Sequence, residues 1–252
     1  MTTARPTPAL SLRGIDKSFG AVKALSSIDL DIHSGEVVAL VGDNAAGKST
    51  IAKVIAGVIT PDAGIIESDG VPVTIPTPTS AHALGITTVF QELALAENLD
   101  IVSNLYLGRE LHKGNLLLES EMEDVARQIL RDLRIRVPSV RTLVADLSGG
   151  QRQAVAIART LLGKPRIVIL DEPTASLSVS STAEVLTLIE RLRDLGHGVV
   201  LISHNMGDVR AVADRIEVLR HGRNNGSFAA RTVSYEDIIA AITGAVDFST
   251  RR

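Results

Sequence analysis

The chain contains a glycine-flanked segment whose residue types suit the binding of phosphate. Such a loop offers main-chain N–H groups to an oxyanion, while its lysine adds positive charge and its serine can bind magnesium. The glycines let the backbone wrap the anion without obstruction by a side chain. The segment reads Gly42, Asp43, Asn44, Ala45, Ala46, Gly47, Lys48 and Ser49, followed by Thr50. We interpret it as a nucleotide phosphate loop; a glycine turn with a solvated lysine is the alternative.

Residues 147–151, Leu-Ser-Gly-Gly-Gln, predict a second anion receptor. Ser148 can cap the apolar helical run that follows it, and Gly149 and Gly150 allow a phosphate to approach the positively polarised helix start. The chain already carries one phosphate loop, so its own nucleotide does not require a second receptor. The second receptor is explained only if it binds the nucleotide of another subunit.

Asp171 and Glu172 end an apolar run and are followed by a proline. Adjacent residues of a strand point in different directions, so the two carboxylates can have different tasks. Asp171 is expected to hold Mg²⁺, directly or through water, and Glu172 to orient and deprotonate a water that attacks the γ-phosphate. Capping of a neighbouring helix is the alternative for both.

Two further polar residues follow apolar runs. His204 comes after residues 198–203 and could donate a hydrogen bond to the γ-phosphate; a surface or helix-cap role is the alternative. Gln91 follows residues 86–90, where its amide could touch the magnesium sphere and sense the nucleotide. An ordinary exposed glutamine is the competing interpretation of Gln91.

Phe19 is one of only four phenylalanines in a chain without tryptophan. It precedes the phosphate loop, and an aromatic face is a natural partner for a purine. Packing in the core is the alternative explanation.

The elements that must position these residues follow an α/β pattern with a mainly parallel sheet. Four mostly apolar runs predict strands buried on both faces, at residues 36–41, 86–90, 166–170 and 198–203. Ligands of open parallel sheets bind beyond the carboxyl ends of the strands. The phosphate loop, the two acids and His204 are therefore expected to form one site.

Other patterns predict the surroundings of this sheet. Residues 10–15 and 27–33, with a hairpin-like pair at 64–70 and 71–75, indicate an antiparallel side sheet. Apolar spacings of three and four predict helices at 98–107 and 120–133, and these favour a helical subdomain. A short amphipathic helix is predicted at 234–243.

Composition limits the function classes. A chain of 252 residues with 45% hydrophobic content can form one sizeable core, or one core with a small subdomain. The 26 basic residues are scattered among 29 acidic ones, so no nucleic-acid partner is expected. The absence of cysteine excludes disulfides, thiolate metal sites and cysteine nucleophiles, and fits the reducing cytoplasm.

Membrane insertion is not predicted. No apolar run approaches the roughly 20 residues that span a bilayer. Residues 1–9 contain Arg5, Pro6 and Pro8 but no apolar centre, so we expect no secretory signal there. Any membrane role is expected to come through a partner.

The order of Phe19, the phosphate loop, Gln91, residues 147–151, Asp171-Glu172 and His204 resembles an ATP-binding cassette ATPase over nearly the whole chain. The resemblance implies a single domain over residues 1–252, with a nucleotide-binding core at 1–90 and 151–252 and a helical subdomain at 91–150. It implies ATP and Mg²⁺ as cofactors. It also implies a head-to-tail dimer with a second copy, in which Ser148 and Gly150 act on the partner's ATP.

Within that family, residues 89–92, 99–109 and 242–245 are similar to those of bacterial importers of ribose, xylose and fructose. This similarity implies a homodimer on the cytoplasmic face of the inner membrane, bound to a separate permease. The groove between Gln91 and the helical insert would receive a cytoplasmic helix of the permease. An extracytoplasmic sugar-binding protein would be an indirect partner.

The chain departs from the family pattern at two positions. Ala45 stands where the loop usually has glycine, and we expect binding to survive because no N–H donor is lost. Ser178 replaces the aspartate often found at the dimer interface, which puts communication between the two sites in doubt. An exporter ATPase, a soluble non-transport ATPase and a small-molecule kinase are the alternative functions, although a kinase leaves residues 147–151 without a purpose.

Overall fold

Short runs of Val, Ile and Leu form the centre of a six-stranded sheet, because β-branched residues suit strands that are covered on both faces. The computed structural model describes residues 7–248. Every residue of the two central strands, β3 (Val37–Val41) and β10 (Gly198–Ile202), is buried. In spatial order, the strands are β12 (Arg223–Ala229), β11 (Arg215–Arg220), β3 (Val37–Val41), β10 (Gly198–Ile202), β9 (Ile167–Asp171) and β6 (Ile86–Val89).

Five of these strands, from β11 to β6, run parallel, and β12 pairs antiparallel with β11. The four strands predicted at 36–41, 86–90, 166–170 and 198–203 are confirmed to within one residue as β3, β6, β9 and β10. Since β10 lies between β3 and β9, the segments that follow these three strands are neighbours along one edge of the sheet.

A second, antiparallel sheet confirms the predicted side sheet. Its order is β2 (Val22–Ile32), β1 (Leu10–Phe19), β4 (Ala63–Ser68) and β5 (Val71–Val73). The strands β1 and β2 are longer than predicted and meet at a two-residue turn, Gly20-Ala21. Phe19 is therefore the last residue of a strand.

Side chains of the central sheet alternate between two apolar layers, as the strand period requires. On β3, Val37, Ala39 and Val41 face one layer, whereas Val38 and Leu40 face the layer shared with the side sheet and α1. Within residues 7–248, the α-helices are α1 (Lys48–Ile55), α2 (Pro78–Ala83), α3 (Ile101–Tyr106), α4 (Glu119–Asp132), α5 (Gly149–Leu161), α6 (Val179–Asp194), α7 (Met206–Val212) and α8 (Tyr235–Thr243).

The segment between β6 and α5 is helical, as predicted, but it also contains a short hairpin. Helices α3 and α4 confirm the predicted helices, and β7 (His112–Lys113) pairs with β8 (Leu116–Leu117) between them. The expected boundary between residues 150 and 151 falls inside α5. The insert is thus joined to the core through a continuous helix, and residues of both share one apolar cluster.

Within the described range of 7–248, no helix combines the length and apolar character needed to cross a membrane. We expect no secretory signal at residues 1–9. Residues 1–6 of this segment lie outside the described range.

A half-buried arginine ties the side sheet to the central sheet. Arg215, on β11, donates to Glu36 at 2.8 Å, to Glu217 and to the carbonyl oxygen of Asp31 on β2. Glu217 is 6% exposed. Because carboxylates removed from water must be paired, these contacts hold the two sheets in one arrangement.

We expect Arg215→Met to lower the free energy of unfolding by about 3–5 kcal/mol, since it removes the guanidinium shared by the buried Glu217 and the partly buried Glu36. Urea unfolding measures the change. Arg13→Met breaks an exposed ion pair with Asp31 and should cost less than about 1 kcal/mol. Equal losses in the two variants would contradict a structural role for the Arg215 contacts.

Candidate active site

The phosphate loop joins β3 to α1, and its backbone is crowded. A Cβ atom on Gly42 would lie 2.1 Å from the carbonyl oxygen of Leu219, and one on Gly47 would lie 3.0 Å from the carbonyl oxygen of Ala24. Both glycines also have positive φ, of 148° and 104°. These glycines are therefore required by the packing of the loop itself, whether or not a phosphate is bound.

The start of α1 is suited to an anion. Among the α-helices of residues 7–248, only α1 begins without a side-chain cap and without an acidic residue in its first turn. The first N–H groups of a helix have no partner within it, and they carry partial positive charge. Asp43, Asn44 and Ser49 are exposed beside this helix start. The loop thus fits the phosphate groups of a nucleotide.

Lys48 is 8% exposed and turns back onto the loop. Its Nζ donates to the carbonyl oxygens of Gly42, at 2.7 Å, and Asp43, at 2.9 Å. Burial lowers the pKa of Lys48, and the charges of Glu172, Asp43 and Asp171 oppose that shift. The ammonium group is therefore partly removed from water and lies close to the loop that would hold phosphate.

Ala45 has a φ of 65°, in the left-handed region that favours glycine. A non-glycine residue in this region costs about 1–2 kcal/mol. Ala45 is exposed, so its methyl group is not crowded by the core. This departure from the family pattern is tolerated by the fold at a modest energetic cost.

Asp171 is the last residue of β9 and is partly buried. Burial and then the charge of Glu172 raise its pKa, while Lys53 and Lys48 act in the opposite direction. An ionised carboxylate in this position would be stabilised by a divalent cation. Within residues 7–248, no group of three His, Cys, Asp or Glu residues could hold a metal. The assignment of Asp171 and Ser49 as magnesium ligands stays a prediction.

Glu172 and His204 are in direct contact. Nδ1 of His204 lies 2.8 Å from Oε2 of Glu172. The N–H of Glu172 donates to the carbonyl oxygen of Ile202 on β10, at 2.9 Å, and Glu172 has a φ of 51°. This constrained backbone directs the carboxylate across the sheet edge toward the strand end that carries His204. The sequence predicted that these residues share an edge, but not that they touch.

Gln91 and Phe19 stand at the margins of the site. Gln91 is exposed and lies two residues beyond the end of β6 rather than directly after it. Phe19 is 49% exposed, and Nζ of Lys17 lies 5.8 Å from the centre of its ring. Phe19 is therefore not a core residue. The roles assigned to both residues stay predictions.

Ser148 caps α5 as predicted. Its Oγ accepts from the N–H of Gln151, and the side chain of Gln151 accepts from the N–H of Ser148. Gly150 is buried, and a Cβ atom there would lie 2.8 Å from Cβ of Ser181 on α6. The sequence predicted that Gly150 lets a phosphate approach the start of the helix. In the structure, the packing of α5 against α6 also requires a glycine at this position.

Sequence reasoning missed Arg159 on α5. Its guanidinium donates to the carbonyl oxygens of Leu93, at 2.9 Å, and Ala94, at 2.7 Å, in the segment that follows Gln91. Burial lowers the pKa of Arg159, and the charge of Arg109 adds to this. The available signal was that Arg159 interrupts the apolar run at residues 154–162.

Comparisons with known proteins identify relatives of this chain in sequence and in structure. The family model described as ABC transporter matches residues 25–175. The xylose/arabinose import ATP-binding protein of Sulfolobus acidocaldarius is 45% identical over 214 residues, 85% of each chain. The fructose import ATP-binding protein of Rhizobium meliloti is 42% identical over 246 residues, covering 94% of this chain and 95% of that protein. A dimeric ATP-binding cassette in a post-hydrolysis state, bound to ADP and phosphate, matches with a TM-score of 0.72 at 26% identity, over 89% of this chain and 100% of that chain.

Lys48→Ala should weaken nucleotide binding about 10- to 100-fold, because hydrogen bonds from a charged donor contribute about 1.5–3 kcal/mol. Titration with a fluorescent ATP analogue measures the affinity. Lys113→Ala removes an exposed lysine of the β7–β8 hairpin and should leave the affinity unchanged. Unaltered binding by the Lys48 variant would overturn the assignment of the phosphate loop.

Proposed function

This chain belongs to the ABC transporter family, and on that premise we propose that it is the ATP-hydrolysing subunit of an importer that takes up a monosaccharide through a separate membrane permease. The two relatives are named as import ATP-binding proteins, one for xylose or arabinose and the other for fructose. These names support a monosaccharide as the cargo. The observation that carries the ATPase function is the close arrangement of Lys48, Asp171, Glu172 and His204 along one sheet edge.

The proposed reaction is attack of water on the γ-phosphate of ATP. The carboxylate of Glu172 takes a proton from the water as the new P–O bond forms, and ADP leaves with the electrons of the broken bond. Lys48 and the first N–H groups of α1 bind the phosphates and stabilise their negative charge. When bound, Mg²⁺, held by Ser49 and Asp171, supplies further charge neutralisation.

His204 is proposed to position Glu172 and to respond to the γ-phosphate. A neutral imidazole has one N–H, so it can donate either to Glu172 or to a phosphate, but not to both. For a neutral His204, the contact with Glu172 and donation to a phosphate are therefore alternatives. Donation to the γ-phosphate would require His204 to release Glu172 or to gain a second proton.

The working form is proposed to be a dimer with a second copy, in which Ser148 and Gly150 of one subunit complete the ATP site of the other. The dimeric ADP-bound cassette supports this assembly. Ser178, at the N-terminus of α6, uses its hydroxyl to accept from the N–H of Ser181. By this proposal, Ser178 lies at the dimer interface, where it caps α6. Related chains often have an aspartate at this position.

Gln91 and the segment after it are proposed to receive a cytoplasmic helix of the permease. The contacts of Arg159 with Leu93 and Ala94 would carry its movement to α5 and thus to Ser148. By this proposal, the protein acts at the cytoplasmic face of the inner membrane. The sugar itself would be delivered to the permease by an extracytoplasmic binding protein.

Glu172→Gln should retain ATP binding but slow hydrolysis at least about 100-fold, since the amide cannot accept the proton of the attacking water. Phosphate release measures hydrolysis, and light scattering after gel filtration should detect an ATP-dependent dimer. Glu121→Gln changes an exposed glutamate of α4 and serves as the matched control. Hydrolysis at the wild-type rate would require another general base.

Transport is tested in cells whose only copy of this chain is wild type or carries Glu172→Gln. We expect the variant to lose accumulation of one labelled sugar among ribose, xylose, fructose and galactose, because its motor cannot complete the cycle. Equal expression of permease and ATPase in the two strains is the control. Unchanged uptake of all four sugars would contradict the proposed cargo class.

A further inference from the structure

The segments that carry Glu172 and His204 are joined at a second point, beyond the contact between these two side chains. The hydroxyl of Thr174 donates to Oδ2 of Asp208, at 2.6 Å. Thr174 lies two residues after Glu172, and Asp208 lies four residues after His204, in the first turn of α7. The two side-chain contacts therefore close residues 172–174 and 204–208 into one ring of backbone, which we call the strand-end ring.

Asp208 is a buried carboxylate, with 7% of its surface exposed. Among the residues from 7 to 248, no ion pair includes it. The start of α7 stabilises it, because the partial positive charge of a helix N-terminus favours an acidic residue. The distance of 2.6 Å to the Thr174 hydroxyl is that of a hydrogen bond to a charged acceptor, which is stronger than one between neutral groups.

Both arms of the strand-end ring are stiff. The first arm is Pro173, a buried residue whose φ angle is fixed by its pyrrolidine group. The second arm begins at Asn205, whose N–H donates to Oγ of the buried Ser203, at 3.0 Å. The side chain of Asn205 then caps α7 by accepting from the N–H groups of Gly207, at 2.9 Å, and Asp208. With both arms fixed, the loss of one closing contact of the ring must disturb the other.

The backbone of Glu172 needs this support. Its φ of 51° lies in the left-handed region, which costs a non-glycine residue about 1–2 kcal/mol. Such a strained conformation persists only where the surrounding structure fixes it. The hydrogen bond from the N–H of Glu172 to the carbonyl oxygen of Ile202, at 2.9 Å, fixes the chain on one side of the residue. The hydrogen bond between Thr174 and Asp208 fixes the chain on the other side.

We propose that Asp208 is a positioning residue for ATP hydrolysis, which holds Thr174 and thereby keeps the carboxylate of Glu172 in contact with His204. Neither Asp208 nor Thr174 touches the nucleotide in this proposal. The inference rests on the proposed function, in which Glu172 takes the proton of the attacking water. Loss of the bond between Thr174 and Asp208 would let the strained segment relax and displace that carboxylate, while the phosphate loop stays unchanged.

The test compares two substitutions of Thr174 by measuring phosphate release per nucleotide site, with the sites counted by titration with a fluorescent ATP analogue. Thr174→Val keeps the branched shape but removes the hydroxyl, and we expect kcat to fall about 10- to 100-fold, because a small misplacement of a reacting group has an effect of this size. The KM for ATP should change less than about twofold, since Lys48 and the start of α1 are untouched. Thr174→Ser restores the donor and should return kcat to near the wild-type value. Thr243→Val removes an exposed hydroxyl that donates within α8, and it is the matched control.

Asp208→Leu and the double variant Thr174→Val, Asp208→Leu complete a double-mutant cycle. Two residues that act through one hydrogen bond should give a double variant no slower than the slower single variant, whereas losses that multiply would overturn the link between them. Wild-type kcat in Thr174→Val, equal losses in the valine and serine variants, or a loss confined to KM would overturn the positioning role. The comparison at Thr174 decides the question even where Asp208→Leu does not fold. Normal hydrolysis by Glu172→Gln, in contrast, would contradict the proposed function itself.

Discussion

The charges at the carboxyl ends of the strands are the constraint on which the rest of the site depends. Lys48, Asp171 and Glu172 lie close together and partly out of water. Burial disfavours the ionised form of Asp171, so its raised pKa removes stability from the nucleotide-free protein as the pH rises through that pKa. A divalent cation would favour the ionised form of Asp171 by supplying positive charge beside it, and a phosphate group would favour the charged form of Lys48.

The two helix starts differ in how they can bind an anion. The start of α1 has no side-chain cap, so its N–H groups are directly available. In contrast, Ser148 at the start of α5 already accepts a hydrogen bond from Gln151. A hydroxyl also carries one donor, so Ser148 can cap its own helix and still donate to a phosphate. In the proposed dimer, this cap would hold the α5 start in place and so lower the entropic cost of completing the shared site.

The site at the carboxyl ends of the strands could be predicted because its residues directly follow apolar runs. Such runs are typical of strands that are buried on both faces. The contact of His204 with Glu172 could not be predicted, since it depends on β10 lying next to β9 and on the positive φ of Glu172. The strands β11 and β12 were missed because charged and polar residues interrupt their apolar pattern. The two-residue strands of the insert are too short to show a period of two.

The packing of α5 links the segment after Gln91 to α6. At its start, Gly150 lies directly against Ser181 of α6, and at its end Arg159 holds the carbonyl oxygens of Leu93 and Ala94. A helix transmits displacement along its axis because each turn is fixed by hydrogen bonds to the next. A shift of the segment after Gln91 must therefore either break two hydrogen bonds from a half-buried guanidinium or move α5. Breaking them would lose two hydrogen bonds from a charged donor, about 1.5–3 kcal/mol each. On the proposed function, a shift of the segment after Gln91 would therefore be passed to Ser148 through α5, without a contact between Ser148 and that segment.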